Sequence, residues 1–494
     1  MENDTVLIRN KRIFGGYVTV SGKIRINTAL LKQKLILFKD FAITNDLRED
    51  LSRAAWSASL GIVFFVCLNG APFAGFVRHL GVGDFMYGIL MGLPVMSGLF
   101  QVMAAYVLEK TGARKKLFII GGILQRLSII PVVILPLIIP EELKGLTISF
   151  IVFFLLISAI GGAFNGVTSI SWMAALVPLK IRGRFFSQRQ MMFTLTGLIG
   201  GLLASFILDR IGGFAGFAVV FTIVVIFAVL DIVGYIRIHD PPMVKSQYRI
   251  PPIKVANEVL RHPNFRRYLI FWAVWVFGVS MSGPFFSAYM LDYLNMSYLE
   301  ITIFTQVTSN LLTILVVRKW GNLIDAFGNK PVLRICGSVG AVMPLFWLLA
   351  TPENYIAIPL IHIAIGLFWN GIDLTSNNLV MGLSPDENRS YYIASFSMVT
   401  SLVGSILAYA FGGLFMEVTG EWIEGLNTVF LGRRLNNYHM LFILSAIIRF
   451  IGITFLLSPV EEQEAARPSE VLQRSIQSVR EHRKNMRIHR RFRL

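Results

Sequence analysis

His362, Gly366, Asn370, Asp373 and Asn377 recur at spacings of four, four, three and four, which on an α-helix stacks them on one face. Asp373 is the member of this stripe that can do chemistry. Burial raises a carboxyl group's proton affinity toward the range where it loads and releases a proton. Together with Asn370 and Thr375 it also offers hard oxygen donors to a sodium ion. A stripe of this polarity inside an apolar run should avoid lipid and face a water-filled cavity or another helix; polar glue between packed helices is the competing reading. Ser158, Gly162, Asn165, Ser169 and Trp172 repeat the pattern earlier in the chain. There is no G-x-x-x-x-G-K-[ST] phosphate loop and no H-E-x-x-H metal pair, so the sequence is read as a non-enzyme without cofactor or metal.

The elements that must position these residues are membrane helices. The chain has 494 residues, 54% of them hydrophobic and 15% charged, and its apolar runs repeatedly exceed the roughly 20 residues that cross a bilayer. Twelve such runs are expected. The basic residues cluster in the even-numbered gaps, as in Lys110, Arg114, Lys115 and Lys116 or Lys180, Arg182, Arg184 and Arg189, whereas the odd-numbered gaps hold few, such as Arg78, Lys144 and Arg210. The even gaps and both termini are therefore expected in the cytoplasm. The net charge of +17 falls beside apolar runs, where topology and anionic lipid explain it better than nucleic acid. Cys67 and Cys336 lie inside apolar runs and support neither a disulfide framework nor a metal site.

The expected organisation is a basic segment (1–52), a six-helix bundle (53–238), a linker (239–266) with Pro241, Pro242, Pro251 and Pro252, a second six-helix bundle (267–458) and a tail (459–494), acidic first and then basic. The first segment contains a weak hairpin pattern and an amphipathic stretch, Thr28 to Phe41. The tail suits anionic lipid. The halves resemble each other: Asn69-Gly70-Ala71-Pro72-Phe73 matches Met281-Ser282-Gly283-Pro284-Phe285, and Phe164-Asn165-Gly166 matches Trp369-Asn370-Gly371. Parallel six-helix repeats are a transporter architecture. Two further charges need partners within the membrane: Arg126 and Asp231, at matching depths, are expected to pair, and Arg449 is expected to bond backbone carbonyls as packing glue.

Gly321 to Arg334, GNLIDAFGNKPVLR, concentrates glycine, charge and proline between two apolar runs, and Ala105 to Leu117 (AYVLEKTGARKKL) is a blurred copy with Glu109 for Asp325 and Gly112 for Gly328. The order G-x-L-x-D-x-F-G-x-K-P closely resembles the loop signature of the major facilitator superfamily. The resemblance implies an all-α fold of twelve transmembrane helices in two pseudo-symmetric bundles. It further implies a conformational latch, with Asp325, Gly328 and Lys330 reaching the start of helix five near Arg184 or Arg189, and Glu109 reaching the start of helix eleven near Arg389. Helices one, four, seven and ten line the family's central cavity. That places Asn69, Phe73, Asn165, Ser169, Trp172, Trp275, Ser282, His362, Asn370 and Asn377 on its wall, with Gln306 and Asn310 from helix eight.

The implied activity is secondary transport by alternating access, proton-coupled through Asp373, or sodium-coupled. Helix five carries Gly197, Gly200 and Gly201 but no Gly-Pro pair, unlike the drug exporters of the superfamily. A cavity with one acid, several amides and no arginine cluster suits a neutral or cationic organic solute, sugar-like by weak preference. An amphipathic drug or lipid, or a sensor or scaffold that no longer transports, are the alternatives. The chain is expected to act as a monomeric symporter in the plasma membrane.

Overall fold

A polar backbone carried into lipid must satisfy itself, and the helix does so within one segment. The computed structural model describes residues 16–18, 24–26, 43–243, 261–385, 389–426, 429–430 and 433–462. The amphipathic stretch at 28–41, the linker between 244 and 260 and the basic tail beyond 462 lie outside the described residues. Gly16–Val18 and Ile24–Ile26 form a short antiparallel pair, as the alternation in that region predicts.

The spanning helices are α1 (Asn45–Leu68), α2 (Asp84–Thr111), α3 (Arg114–Ile138), α4 (Glu141–Leu176), α5 (Leu179–Ile211), α6 (Gly213–Tyr235), α7 (Pro263–Tyr293), α8 (Tyr298–Thr313 with Arg318–Phe327, bent by 55°), α9 (Asn329–Leu349), α10 (Ala357–Leu383), α11 (Ser395–Ile423) and α12 (Asn437–Leu456). α1 breaks at Asn69 and Gly70 and resumes as Ala71–His79, with Pro72 in the first turn, where its missing amide costs nothing. Pro284, by contrast, lies inside α7 without breaking it. The expected loop at Gly321 to Arg334 is nearly absent. Gly321 to Phe327 finish α8, Gly328 turns the chain at φ +90°, and Asn329 opens α9. Gly112 makes the equivalent turn at φ +67°, a backbone conformation that favours glycine.

Helices α1 to α6 pack into one bundle and α7 to α12 into the other. We call the face carrying the start of α1 and the end of α12 the terminal face, and its opposite the far face. Toward the far face one hydrophobic core runs through both bundles, joining Phe73, Phe76 and Phe221 of the first to Phe285, Tyr289 and Phe442 of the second. Toward the terminal face the core divides in two: Phe118, Trp172 and Tyr235 belong to the first half, and Phe265, Trp272 and Trp275 to the second.

The buried charges show how this packing is held. Arg126 Nη2 lies 2.6 Å from Asp231 Oδ2, both residues being nearly inaccessible. Arg126 also donates to Gln125 Oε1 at 3.1 Å and Gly122 O at 3.3 Å. Gly61 of α1 faces the carboxylate, and a Cβ there would collide with it. Among the described residues Arg449 has only neutral partners, including Gly278 O at 3.3 Å, Gly340 O at 3.2 Å and Ser282 Oγ at 3.1 Å. One of these acceptors is left by proline. Pro344, inside α9, has no amide for Gly340 O, and the guanidinium takes its place.

Removing one partner of a buried ion pair strands the other charge, a loss of about 3–5 kcal/mol. Arg126→Gln should therefore sharply lower the thermal unfolding midpoint of the detergent-purified protein. Adding Asp231→Asn should recover much of the loss, and an unchanged midpoint in the single variant would show that the pair holds nothing.

Candidate functional site

Three regions were candidates: the two polar stripes, the loop signature, and the places where the halves meet. The stripe of α4 is glue. Ser158 Oγ donates to Gln125 O at 2.8 Å, Asn165 Nδ2 to Phe118 O at 3.2 Å, and Trp172 Nε1 to His239 O at 2.9 Å. These bonds tie α4 to α3 and to the segment after α6, so Asn165 and Trp172 are buried packing residues and not cavity wall. Ser169, on the same helix, is half-buried.

The stripe of α10 divides. Its far-side part packs on α8: Ser309 Oγ lies 3.2 Å from His362 Nδ1 and donates to His362 O at 3.1 Å. Gly366 lies against the Ser309 backbone, and Asn370 Nδ2 donates to Thr313 Oγ1 at 3.0 Å. α8 bends by 55° between Thr313 and Arg318, and its second part still meets α10, where Trp320 Nε1 donates to Leu367 O at 2.6 Å. Asp373 and Asn377 are exposed. Asn377 Nδ2 donates to Asp373 O at 2.8 Å, while the Asp373 carboxylate has no hydrogen bond or ion pair among the described residues. Asp373 lies ten residues from the end of α10, roughly 15 Å inside the helix.

Three other expected wall residues are in the cores. Phe73 packs on Phe76 and Phe221, Trp275 lies under Gly337 and Gly340 of α9, and Ser282 bonds Ser445 Oγ at 3.0 Å and receives Arg449. Each faces its own bundle. Asn69 is exposed at the break in α1 and bonds only its own helix, at Phe65 O. Gln306, on a π-helical turn of α8, reaches across the halves: its amide lies nearest Gly70 of α1 and Gly201 of α5. Asn310, one turn on, is half-buried.

The loop signature serves a different acid from the one the sequence singles out. Glu462, just past α12, accepts from Asn329 N at 2.8 Å and Lys330 N at 2.6 Å, so it caps α9 where the helix dipole favours an anion. Lys330 Nζ returns to Ser458 O at 2.9 Å. The first half repeats the device: Lys115 Nζ donates to Ile238 O at 2.9 Å, and Asp240 lies 3.4 Å from Arg114 Nε and from Lys115 N. Asp325 and Glu109 are exposed and make no ion pair among the described residues. Arg184 is exposed, and the side chain of Arg389 lies outside the described residues. Among the described residues no hydrogen bond or ion pair joins Asp325 to Arg184 or Arg189, and the expected contact of Glu109 with Arg389 lies outside them.

Every hydrogen bond and ion pair between the halves, among the described residues, lies toward the far face. Arg78 pairs with Asp84 at 2.7 Å in its own half and with Asp292 of the other at 2.9 Å. It also donates to Tyr438 Oη at 2.9 Å and sits over the Tyr87 ring. Tyr87 Oη donates to Pro284 O at 2.9 Å, and Ser205 meets Thr302 at 2.6 Å. A pocket of about 440 Å³ beside this network is lined by Arg78, His79, Asp292 and Tyr298. These residues sit at helix ends, where composition alone gives no signal of a cross-half contact.

Two repeated six-helix bundles, whose apolar cores merge toward one face and divide toward the other, define a polytopic α-helical membrane protein. The sequence profile of the Major Facilitator Superfamily matches residues 55–319 and again 276–492, and the chain belongs to that family. Among solved structures it is similar in fold to a bacterial homologue of the human lysosomal transporter Spinster, inward-facing and unoccupied, at 15% identity and TM-score 0.60, covering 84% of this chain and 97% of that one. The D-xylose–proton symporter matches at 16% and 0.58, covering 82% and 97%. The nucleoside transporter NupG matches at 12% and 0.58, covering 85% and 100%. No curated protein matches by sequence.

Capping of α9 by Glu462 makes a local prediction. In Glu462→Ala, the amides of Asn329 and Lys330 should exchange hydrogen faster by mass spectrometry and stability should fall by about 1 kcal/mol. Unaltered protection there would remove Glu462 from this role.

Proposed function

We propose that the protein is a secondary active transporter of a small organic solute, working by alternating access, with Asp373 as the group that couples solute movement to protons. One observation carries this reading. Arg126, Asp231 and Arg449 are all held by partners within the protein, whereas Asp373 is an exposed residue inside a spanning helix whose carboxylate has no hydrogen bond or ion pair among the described residues. An ionisable group so placed faces water and has a use beyond packing.

The basic gaps assign the terminal face to the cytoplasm, and the arrangement is then inward-facing, closed at the far face. The disengaged Asp325 and Glu109 agree with a latch that belongs to the outward-facing state. Asn69, Gln306 and Asn310, with Asp373 and Asn377 of the α10 stripe, are the candidate solute ligands in this reading. Amides, hydroxyls and one acid favour a neutral or cationic solute such as a sugar or polyol; sodium is the alternative coupling ion. The structures of a xylose–proton symporter and a nucleoside transporter, with the same fold, support small polar organic cargo as a class. Both chain ends would face the cytoplasm, with the basic tail against anionic lipid.

A thermal-shift screen of purified protein against sugars, nucleosides and amphipathic amines should yield a stabilising ligand, because ligand binding favours the folded form. In reconstituted vesicles that solute should accumulate against its gradient only while a proton gradient exists. Asp373→Asn should abolish accumulation and retain exchange or downhill flux. Accumulation that survives proton-gradient collapse and follows sodium would transfer the coupling role to sodium, and full accumulation by Asp373→Asn would remove Asp373 from it.

A further inference from the structure

Two carboxylates outside the solute site cross from one half to the other at the far face, and each ends on the first backbone amides of a helix in the opposite bundle. Asp209, near the end of α5, accepts from Tyr298 N at 2.8 Å and Leu299 N at 2.9 Å, the opening amides of α8. Glu417, in α11, accepts from Phe85 N at 2.8 Å at the opening of α2. The arrangement is reciprocal, since α5 and α11 are equivalent in the repeat, as are α8 and α2.

A helix start presents amides with no partner in the helix and the positive end of the helix dipole, so a carboxylate there makes charge-assisted bonds. For α8 the amides are all accounted for. Ser297 Oγ takes Glu300 N at 3.2 Å, Glu300 takes Ser297 N at 2.9 Å, and Asp209 takes the two amides between. α2 has no side-chain cap of its own; its cap residue is Gly83. Glu417 lies so close that a Cβ on Gly83 would stand 2.9 Å from Oε2. Both helices thus take part of their capping from the other half, and that part is lost when the halves separate. Both acids are exposed, so water replaces each lost bond at once, and the contact can break and re-form in a way the buried Arg126–Asp231 pair cannot.

We propose that Asp209 and Glu417 are two caps in trans that hold the far face closed and set the balance between the two open states. The proposal rests on the transport reading only in taking the halves to move against each other. Spin labels on Glu142→Cys and Glu353→Cys report the far face, and labels on Ser187→Cys and Asn322→Cys the terminal face; the native Cys67 and Cys336 are fully buried. Pulsed dipolar spectroscopy in lipid nanodiscs should give one short far-face distance in the parent protein. Asp209→Asn with Glu417→Gln should add a population longer by about 5 Å, one helical pitch, with a matching shortening at the terminal face. Raising salt to about 1 M, where screening acts within ~3 Å, should move the unsubstituted pair the same way and needs no cap variant. Gly88→Trp serves as the reference, because Gly88 packs on the Tyr409 and Gly413 backbone of α11 and a wedge there parts α2 from α11 whatever the caps do. If the wedge shifts both distances while the double variant and salt do not, the halves move and the caps in trans are overturned. If the wedge also leaves both distances fixed, the rocking motion fails, and the gating role fails with it.

Discussion

The hydrocarbon layer offers no hydrogen bonds, and that constraint orders this structure more than any single contact. Each polar side chain carried into the layer must find its partner within the protein. Ser158 and Asn165 find carbonyls of α3, and Asn370 finds Thr313. Arg449 finds the carbonyl that Pro344 leaves free. The same requirement turns most of the polar residues expected on a cavity wall into packing residues. It also makes Asp373 informative, an exposed acid inside a spanning helix with no hydrogen bond or ion pair to its carboxylate among the described residues.

The repeat is visible most clearly where helices begin. In each half the segment leaving the last helix folds back on the start of the third, with a lysine bonding the carbonyls and a carboxylate at the opening amides: Lys115 with Asp240, and Lys330 with Glu462. The first-half version is looser, at 3.4 Å for the carboxylate against 2.6 Å for the tighter bond of the second. A third and fourth helix start, those of α2 and α8, are capped across the halves. Helix openings are thus used as fixed anchors at the terminal face and as separable contacts at the far face. The difference lies in whether the carboxylate belongs to the same bundle.

The two faces differ in the distribution of apolar area. A continuous core spans both halves on one side, while on the other each bundle closes its own core with aromatics, Phe118 with Trp172 and Tyr268 with Phe396. With no shared apolar core toward the terminal face, each half there packs on itself, and the end of α8 stays with its own bundle, where Trp320 bonds Leu367 O of α10.

Length, hydropathy and charge placement determined the fold class, because a membrane helix needs only its own segment to satisfy its backbone. The internal repeat and the loop signature were equally legible, as was the pairing of Arg126 with Asp231, since burying two opposite charges at one depth leaves few other solutions. The site was legible in part. Periodicity placed Asp373 and Asn377 on one face with His362 and Asn370, but only the packing of Ser309 and Thr313 of α8 decided which of these are covered. Phe73, Trp172, Trp275 and Ser282 look like wall residues by helix number and are core residues by rotation, a property set by neighbouring helices. Asp209, Glu417 and Arg78 carry no local signal, because their partners are supplied by the opposite half, and no sequence pattern within one helix records what another helix brings to it.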